Sequence, residues 1–304
     1  MAAGGKDVSL ATYLSETGIE LEDIYAGNHS WTEMRQEAGL GVATSGPGEK
    51  KLLRACSRLL HVDDARRIAA YMNAVRYPNP NDLRTLRTSD RRLVQMLVAS
   101  VAADSMPANA AIDDALAFVH SHKNVCDELR GILEVLQGRI SHATLPLVSR
   151  PDVPLEVHAR YSRAEILAAC GVSDGAKMPS WREGVRWVEA TKADLLVFTL
   201  DKTSGAFSPT TRYRDYAISR ELIHWESQSG LRSRAPTGQR YQHHVKQGSA
   251  IMLFARLNSD DRAFWFLGPA TYVKHEGEQP MAITWRLMHS LPADLYTTFA
   301  AAVA

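Results

Sequence analysis

The residues with chemistry to offer gather between Phe207 and Tyr241, where the chain reads FSPTTRYRDYAISRELIHWESQSGLRSRAPTGQRY. Five aromatic residues, Phe207, Tyr213, Tyr216, Trp225 and Tyr241, stand there among basic ones. From Phe207 to Lys246, seven basic residues (Arg212, Arg214, Arg220, Arg232, Arg234, Arg240 and Lys246) face three acids, Asp215, Glu221 and Glu226. That is a local charge of +4 in a chain whose total is +1. Aromatic faces stack bases, and guanidinium groups hold phosphates. The stretch reads as a nucleic-acid contact surface with a pocket for one base. The competing reading is an arginine-rich solvated loop between two strands.

Within it, Phe207, Tyr213, Tyr216 and Trp225 are the stacking candidates. Asp215 lies between Tyr213 and Tyr216. Its carboxylate is placed either to accept from the exocyclic amine of a cytosine extruded between rings or to pair with Arg212 or Arg214 on the surface. Residues 224–229, HWESQS, have strand character. Alternation puts Trp225, Ser227 and Ser229 on one face and His224, Glu226 and Gln228 on the other. Gln228 offers a donor and an acceptor to a base edge. Ser208-Pro209-Thr210-Thr211 is a turn whose hydroxyls and N–H groups either hold a phosphate or cap their own backbone. Thr210, Thr211, Arg212, Arg214, Arg232, Arg234, Arg240 and Lys246 are the candidates for the DNA backbone. PTGQRY at 236–241 opens a short helix, and a helix N-terminus is a natural phosphate seat.

Other chemistries find less support. His244-Val245-Lys246 matches the first half of a phospholipase-type nuclease signature, but Ile251 stands where its Asp is required. The chain shows no P-loop, no Asp-Glu box, no CxxC pair and no GxSxG elbow. His120 and His122 are two residues apart, so on a helix they do not share a face, and no second ligand cluster accompanies them. No metal, cofactor or catalytic group is expected. A hydrolase built from Asp215, His224 and His244 is a third reading, with no nucleophile–base constellation behind it.

The elements that must position these residues fall into two halves. Residues 1–150 carry helical patterns. Leu10, Tyr13 and Leu14 repeat at helical spacing until Gly18. Ser30 with Glu33 has capping-box spacing, and Leu52, Leu53, Cys56, Leu59 and Leu60 line one face. Asp63 is expected to cap a helix through Ile68 and Tyr71. PNPND at 78–82 breaks the chain, and further helices are expected from Ser89, from Met106-Pro107 and over 124–140. Pro146, Pro151 and Pro154 mark a linker. Residues 151–304 open with a helix capped by Ser162 with Glu165 at the capping-box position. Strand signals follow at 193–200, 216–225, 249–257, 263–267, 271–275 and 281–288, then a helix over 293–303. The expectation is an α+β protein in which a helical bundle, 1–150, precedes a closed or half-closed β-barrel with flanking helices, 151–304. Cys56, Cys126 and Cys170 are far apart in apolar patterns, which fits buried thiols in a reducing cytoplasm. No apolar run approaches the roughly 20 residues of a membrane helix, so no membrane partner is expected.

Residues from about 160 to 300 resemble a domain-of-unknown-function family found at the C-terminus of bacterial superfamily II helicases. The resemblance is carried by YSRAEIL (161–167), FSPTTRYRDYAIS (207–219), HWESQS (224–229), PTGQRY (236–241), FLGPATYVKHEG (266–277) and PMAITWRL (280–287). LEDIYAGNHSWTEMRQEAGL (21–40) and LLHVDDARR (59–67) look like the helical segment joining a helicase core to that domain. Some members resemble methylation-dependent (type IV) restriction enzymes with a phospholipase-type nuclease, a helicase motor and this domain as reader of 5-methylcytosine. The resemblance implies a fold similar to the base-flipping SET-and-RING-associated (SRA) domain, of SRA/PUA-like barrel type. It implies as partners double-stranded DNA with a modified cytosine and helicase and nuclease domains of the same polypeptide or complex. Motor and nuclease are absent from this sequence, so ATP use and cleavage do not carry over. The alternative is an assembly domain that docks a helicase without modified-base specificity, with the helical half as its docking surface.

Overall fold

A computed structural model describes residues 8–41, 43, 46–76, 83–200 and 215–302. The chain divides into two compact units. One comprises Met1–Ala143, Val148–Pro154 and Ala164–Pro179. The other comprises Thr144–Leu147, Leu155–Arg163 and Ser180–Ala304. The chain therefore passes between them several times before settling in the second at Ser180.

The first unit is helical: α1 (Leu10–Thr17), α2 (Leu21–Tyr25), α3 (Trp31–Glu37), α4 (Pro47–Ala55), α5 (Ala65–Arg76), α6 (Thr88–Val101), α7 (Ile112–His120) and α8 (Lys123–Gly138). To these it adds α9 (Arg163–Ala169) from its second residue onward. Leu52, Leu53, Cys56, Leu97, Leu129 and Leu133 are fully buried, as their helical spacing requires. Ser9 caps α1, and Gly18 ends it in the left-handed region at φ 70°. The Ser30 hydroxyl accepts from the Glu33 N–H at 3.2 Å and so caps α3. The cap of α5 is Asp64, not Asp63: its carboxylate accepts from the Arg67 N–H at 2.7 Å. Asp63 instead lies 3.4 Å from the Arg67 guanidinium. The segment after Met106-Pro107 becomes helical only at Ile112, and 78–82 lies outside the described residues. His120 Nε2 and His122 Nδ1 each lie 2.8 Å from a backbone carbonyl, of Ala74 and Phe118.

Two buried carboxylates organise this unit. Glu128, on α8, receives the Tyr25 hydroxyl at 2.5 Å, the Trp31 and Thr32 N–H groups at 2.8 Å each, and the Thr32 hydroxyl at 2.6 Å. Burial pushes its pKa up, and these four donors oppose the shift. Glu165, on α9, is fully buried. It accepts from Arg67 Nη1 at 2.9 Å and from Tyr71 Oη at 3.0 Å, and lies 2.5 Å from His61 Nε2.

The second unit holds β1 (Leu145–Pro146), β2 (Glu156–Val157), β3 (Arg160–Ser162), β4 (Val185–Val188), β5 (Ala193–Thr199), β6 (Tyr216–Ala217), β7 (Leu222–Glu226), α10 (Pro236–His243), β8 (Ala250–Arg256), β9 (Ala263–Glu276), β10 (Ala282–Leu287) and α11 (Ala293–Ala301). β1 and β2 pair with each other. The main sheet has eight strands in the order β4-β5-β8-β9-β10-β7-β6, with β3 paired to β9. Among the described residues no pairing joins β4 to β6, so the sheet is open rather than a closed barrel. β5 and β8 are parallel and their neighbours antiparallel. A central strand covered on both faces is mostly apolar, and all seven residues of β5 are buried, Asp194 and Thr199 among them. β7 alternates, with Ile223 and Trp225 buried.

Two strand expectations change. The stretch 216–225 is a hairpin: Ser219 Oγ accepts from the Glu221 and Leu222 N–H groups at 3.2 Å each, which turns the chain between β6 and β7. Conversely, β9 runs unbroken through Gly268-Pro269. Gly268 sits at φ +96°, and a Cβ there would come within 3.1 Å of Val157, so only glycine fits.

Candidate nucleic-acid interface

The register builds the candidate surface. Tyr216 pairs with His224, His224 with Thr284, and Thr284 with Lys274, so these four stand in a row across β6, β7, β10 and β9. They occupy the face opposite Ile223, Trp225 and Ile283. Tyr216 is 37% exposed, and its ring stacks on His224 with centroids 4.7 Å apart and planes 22° apart. An exposed ring held parallel to a second ring presents the kind of flat face on which bases stack. Lys274 is paired with Glu276 at 2.7 Å, and His224 lies 4.0 Å from Glu226.

Asp215 is anchored beside this platform. It is 4% exposed, and its Oδ1 accepts from the Glu226 N–H at 2.9 Å. That bond closes the mouth of the β6–β7 hairpin and fixes where Tyr216 begins. Gln228 is exposed, and its backbone carbonyl accepts from the Leu231 N–H at 3.0 Å. Phe207, Thr210, Thr211, Arg212, Tyr213 and Arg214 lie outside the described residues.

Trp225 is placed elsewhere. It is 4% exposed and packs with Tyr241 and Trp285, centroids 5.9 and 6.4 Å away, in the sheet-unit core. Alternation put it opposite His224, and the side it shares with Ile223 is the inner one. No face of its ring is open to a base.

The basic residues separate by role. Arg232 and Arg234 are exposed on a loop folded against α10. Ser233 holds that loop: its carbonyl accepts from the amides of Gln239 and Gln242 at 2.8 Å each, and its N–H donates to Glu278 at 2.7 Å. A Cβ on Gly238 would lie 2.3 Å from the Arg232 carbonyl oxygen, so the loop backbone lies against the first turn of α10. The PTGQRY motif thus seats its own preceding loop there and turns Arg232 and Arg234 outward. Lys246 is exposed beyond the end of α10.

Arg240 belongs to another site. Its Nε and Nη2 hold both oxygens of Asp194 at 2.7 and 2.8 Å, and its guanidinium lies 4.6 Å over Trp187. This fork is bidentate and stacked. The Asp194 hydrogen bond raises the Arg240 pKa, while burial pushes Asp194 up against the pull of Arg240. The signal for this pair was an acid in the otherwise apolar run ADLLVF.

His244 is buried. Its Nε2 accepts from the Tyr272 N–H at 3.3 Å, and its Nδ1 faces the Ser249 carbonyl at 3.4 Å. Burial lowers its pKa. Asp215, His224 and His244 hold different partners. All three cysteines are free and buried, and burial pushes Cys170 up to about 12. No helix among the described residues is long and apolar enough to cross a membrane.

Residues 155–299 match the model of a family described as Domain of unknown function (DUF3427). No match was found among curated proteins. Solved structures that resemble the chain include "crystal structure of KRYPTONITE in complex with mCHG DNA and SAH", at 11% identity and a TM-score of 0.33. A second is "crystal structure of KRYPTONITE in complex with mCHH DNA, H3(1-15) peptide and SAH", at 11% identity and a TM-score of 0.34. Each match covers 74% of this chain and 44% of the other, so the chain spans less than half the length of those structures.

Proposed function

We propose that residues 155–304 form a DNA-binding recognition module that reads 5-methylcytosine by base flipping. In this reading it is the specificity part of a helicase–nuclease restriction system and performs no chemistry itself. The observation that carries the reading is the exposed Tyr216 ring stacked on His224, directly following the aromatic and basic run 207–214. Asp215 positions that platform through Glu226 and stands beside the place a base would occupy. Arg232 and Arg234, held outward by the Ser233 clasp, supply sequence-independent phosphate contacts, as guanidiniums on an ordered loop do. Trp225 and Arg240 drop out of the direct contacts: one supports the sheet from within, the other ties α10 to β5.

The test is fluorescence anisotropy of the full chain on duplexes that differ only in one cytosine substituent. Burying one methyl group gains about 0.8 kcal/mol, roughly a fourfold preference. Tyr216→Ala should remove one stacking contact and cost about 1–3 kcal/mol, roughly 5- to 150-fold in affinity. Equal affinity for both duplexes would remove the methyl-reading part. Absence of binding to either duplex would remove the whole reading.

A further inference from the structure

Outside the run 207–246, two arginines of the sheet unit share one aromatic ring. Arg163 opens α9 directly after β3, and Arg256 closes β8. Their guanidiniums lie 5.5 and 4.9 Å from the Phe264 ring centroid, and Arg163 lies 5.2 Å from that of Trp181. The register accounts for the convergence. Tyr161 pairs with Phe264, Thr199 pairs with Arg256, and Ala255 opposes Trp265, one step from Arg256 and Phe264. Three strands thus bring both cations to one end of the sheet, where β5 and β8 finish.

Among the described residues every hydrogen-bond partner of the two guanidiniums is neutral. Arg163 Nη1 donates to the carbonyls of Trp181 at 2.7 Å and Glu183 at 3.2 Å. Arg256 Nε donates to the Thr199 hydroxyl at 2.9 Å, and its Nη1 to the Asp261 carbonyl at 2.7 Å. Among the described residues neither guanidinium has a carboxylate at ion-pair distance. Burial depresses both pKa values, and the nearby Arg256 charge presses further on Arg163. Glu183 pulls Arg163 the other way, as Asp261 and Asp260 pull Arg256, all from beyond contact. Two like charges, each partly desolvated and, among the described residues, bonded to neutral groups, suit an anion between them.

We propose that Arg163 and Arg256, with Phe264 between them, form a phosphate-binding site that takes the DNA backbone at the end of the sheet where β5 and β8 finish. The choice of DNA as the source of the phosphate rests on the function proposed above, and free inorganic phosphate is the other source. The N–H groups left over among the described residues after the carbonyl and hydroxyl bonds, Nε and Nη2 of Arg163 and Nη2 of Arg256, are the donors.

Two measurements on the full chain test it. In the first, Arg163→Gln and Arg256→Gln are compared with wild type for duplex binding across a salt series. Each should weaken methylated and unmethylated duplexes alike and reduce the slope of log K against log salt by about one. Wild-type affinity and slope in both variants, with a lowered melting temperature, would overturn the site: the arginines then only tie loops together. In that outcome the proposed function stands, because wild type still binds DNA.

The second arm uses wild type alone and so does not depend on the variants folding. Guanidinium N–H resonances of Arg163 (Nε and Nη2) and Arg256 (Nη2), assigned through bonds, are followed while inorganic phosphate replaces chloride at constant ionic strength. Both should shift and saturate. If they shift while no duplex binds, the site stands as one for free phosphate and the DNA-binding function falls. If neither moves, the site is overturned whatever the DNA result.

Discussion

The helical unit and the sheet unit answer a desolvated guanidinium in opposite ways. Arg67, 1% exposed, is surrounded by carboxylates: Asp64 at 2.9 Å, Glu165 at 2.9 Å and Asp63 at 3.4 Å. Arg163 and Arg256 receive carbonyls, a hydroxyl and the faces of rings. The first arrangement is closed, because the charge is neutralised inside the protein and has no need of a ligand. The second carries its positive charge forward to whatever arrives. Arg240 stands between them, fully engaged by Asp194 yet within the same unit as the open pair. Arginine count alone therefore says little about binding; the presence of a carboxylate at each guanidinium decides it.

Four measurements break or sharpen that contrast. The largest effect should follow Glu165→Ala, which strands Arg67 inside the helical unit. Removing one partner of a buried pair costs about 3–5 kcal/mol, read by chemical denaturation. A loss under 1 kcal/mol would mean that Asp63 and Asp64 suffice. Next, Asp194→Asn should cost about 1–3 kcal/mol, since a charge-assisted fork becomes a neutral contact. The paired change Asp194→Leu with Arg240→Met should cost less than Asp194→Asn alone, because no charge is left without its partner.

Third in size is a pH effect at His244, which is buried, feels the Asp194 charge and, unlike Arg163, can shed its proton. Its pKa is depressed in the fold, so the unfolded chain takes up a proton first as pH falls. Stability is full above about pH 6.5 and declines below it by up to about 1.4 kcal/mol per pH unit. Thermal melts of wild type and His244→Gln should converge toward acid pH, the variant lacking this dependence. Smallest is the stability change in Arg256→Gln, under about 1 kcal/mol, since only neutral contacts are lost. A loss as large as that of Glu165→Ala would place Arg256 in the closed class.

Local signals in the sequence marked much of this architecture. Ser30 and Gly18 mark helix ends because capping is chemistry between neighbours. The alternation of β7 and the helix at Pro236 are equally local. Turns were harder. Ser219-Arg220-Glu221 carries no glycine or proline, so the hairpin between β6 and β7 read as one strand. Gly268-Pro269 carries both, so a continuous strand read as two.

The site was only partly visible for a related reason. Alternation separates Trp225 from His224 but does not name the inner face, which is set by packing against Tyr241 and Trp285. Asp194 and Arg240 are 46 positions apart, and only the parallel pairing of β5 with β8 and the placing of α10 bring them together. The Arg163–Phe264–Arg256 grouping needs three strands in register, which no local window contains.

The passage of α9 into the helical unit has a practical consequence for any attempt to isolate the family-matched segment. A protein begun at residue 155 would retain Glu165, Ile166, Leu167 and Ala168, all buried here, while losing the Arg67, Tyr71 and His61 side chains that meet Glu165. An uncompensated carboxylate and a bared apolar turn would then face water together, a recipe for self-association.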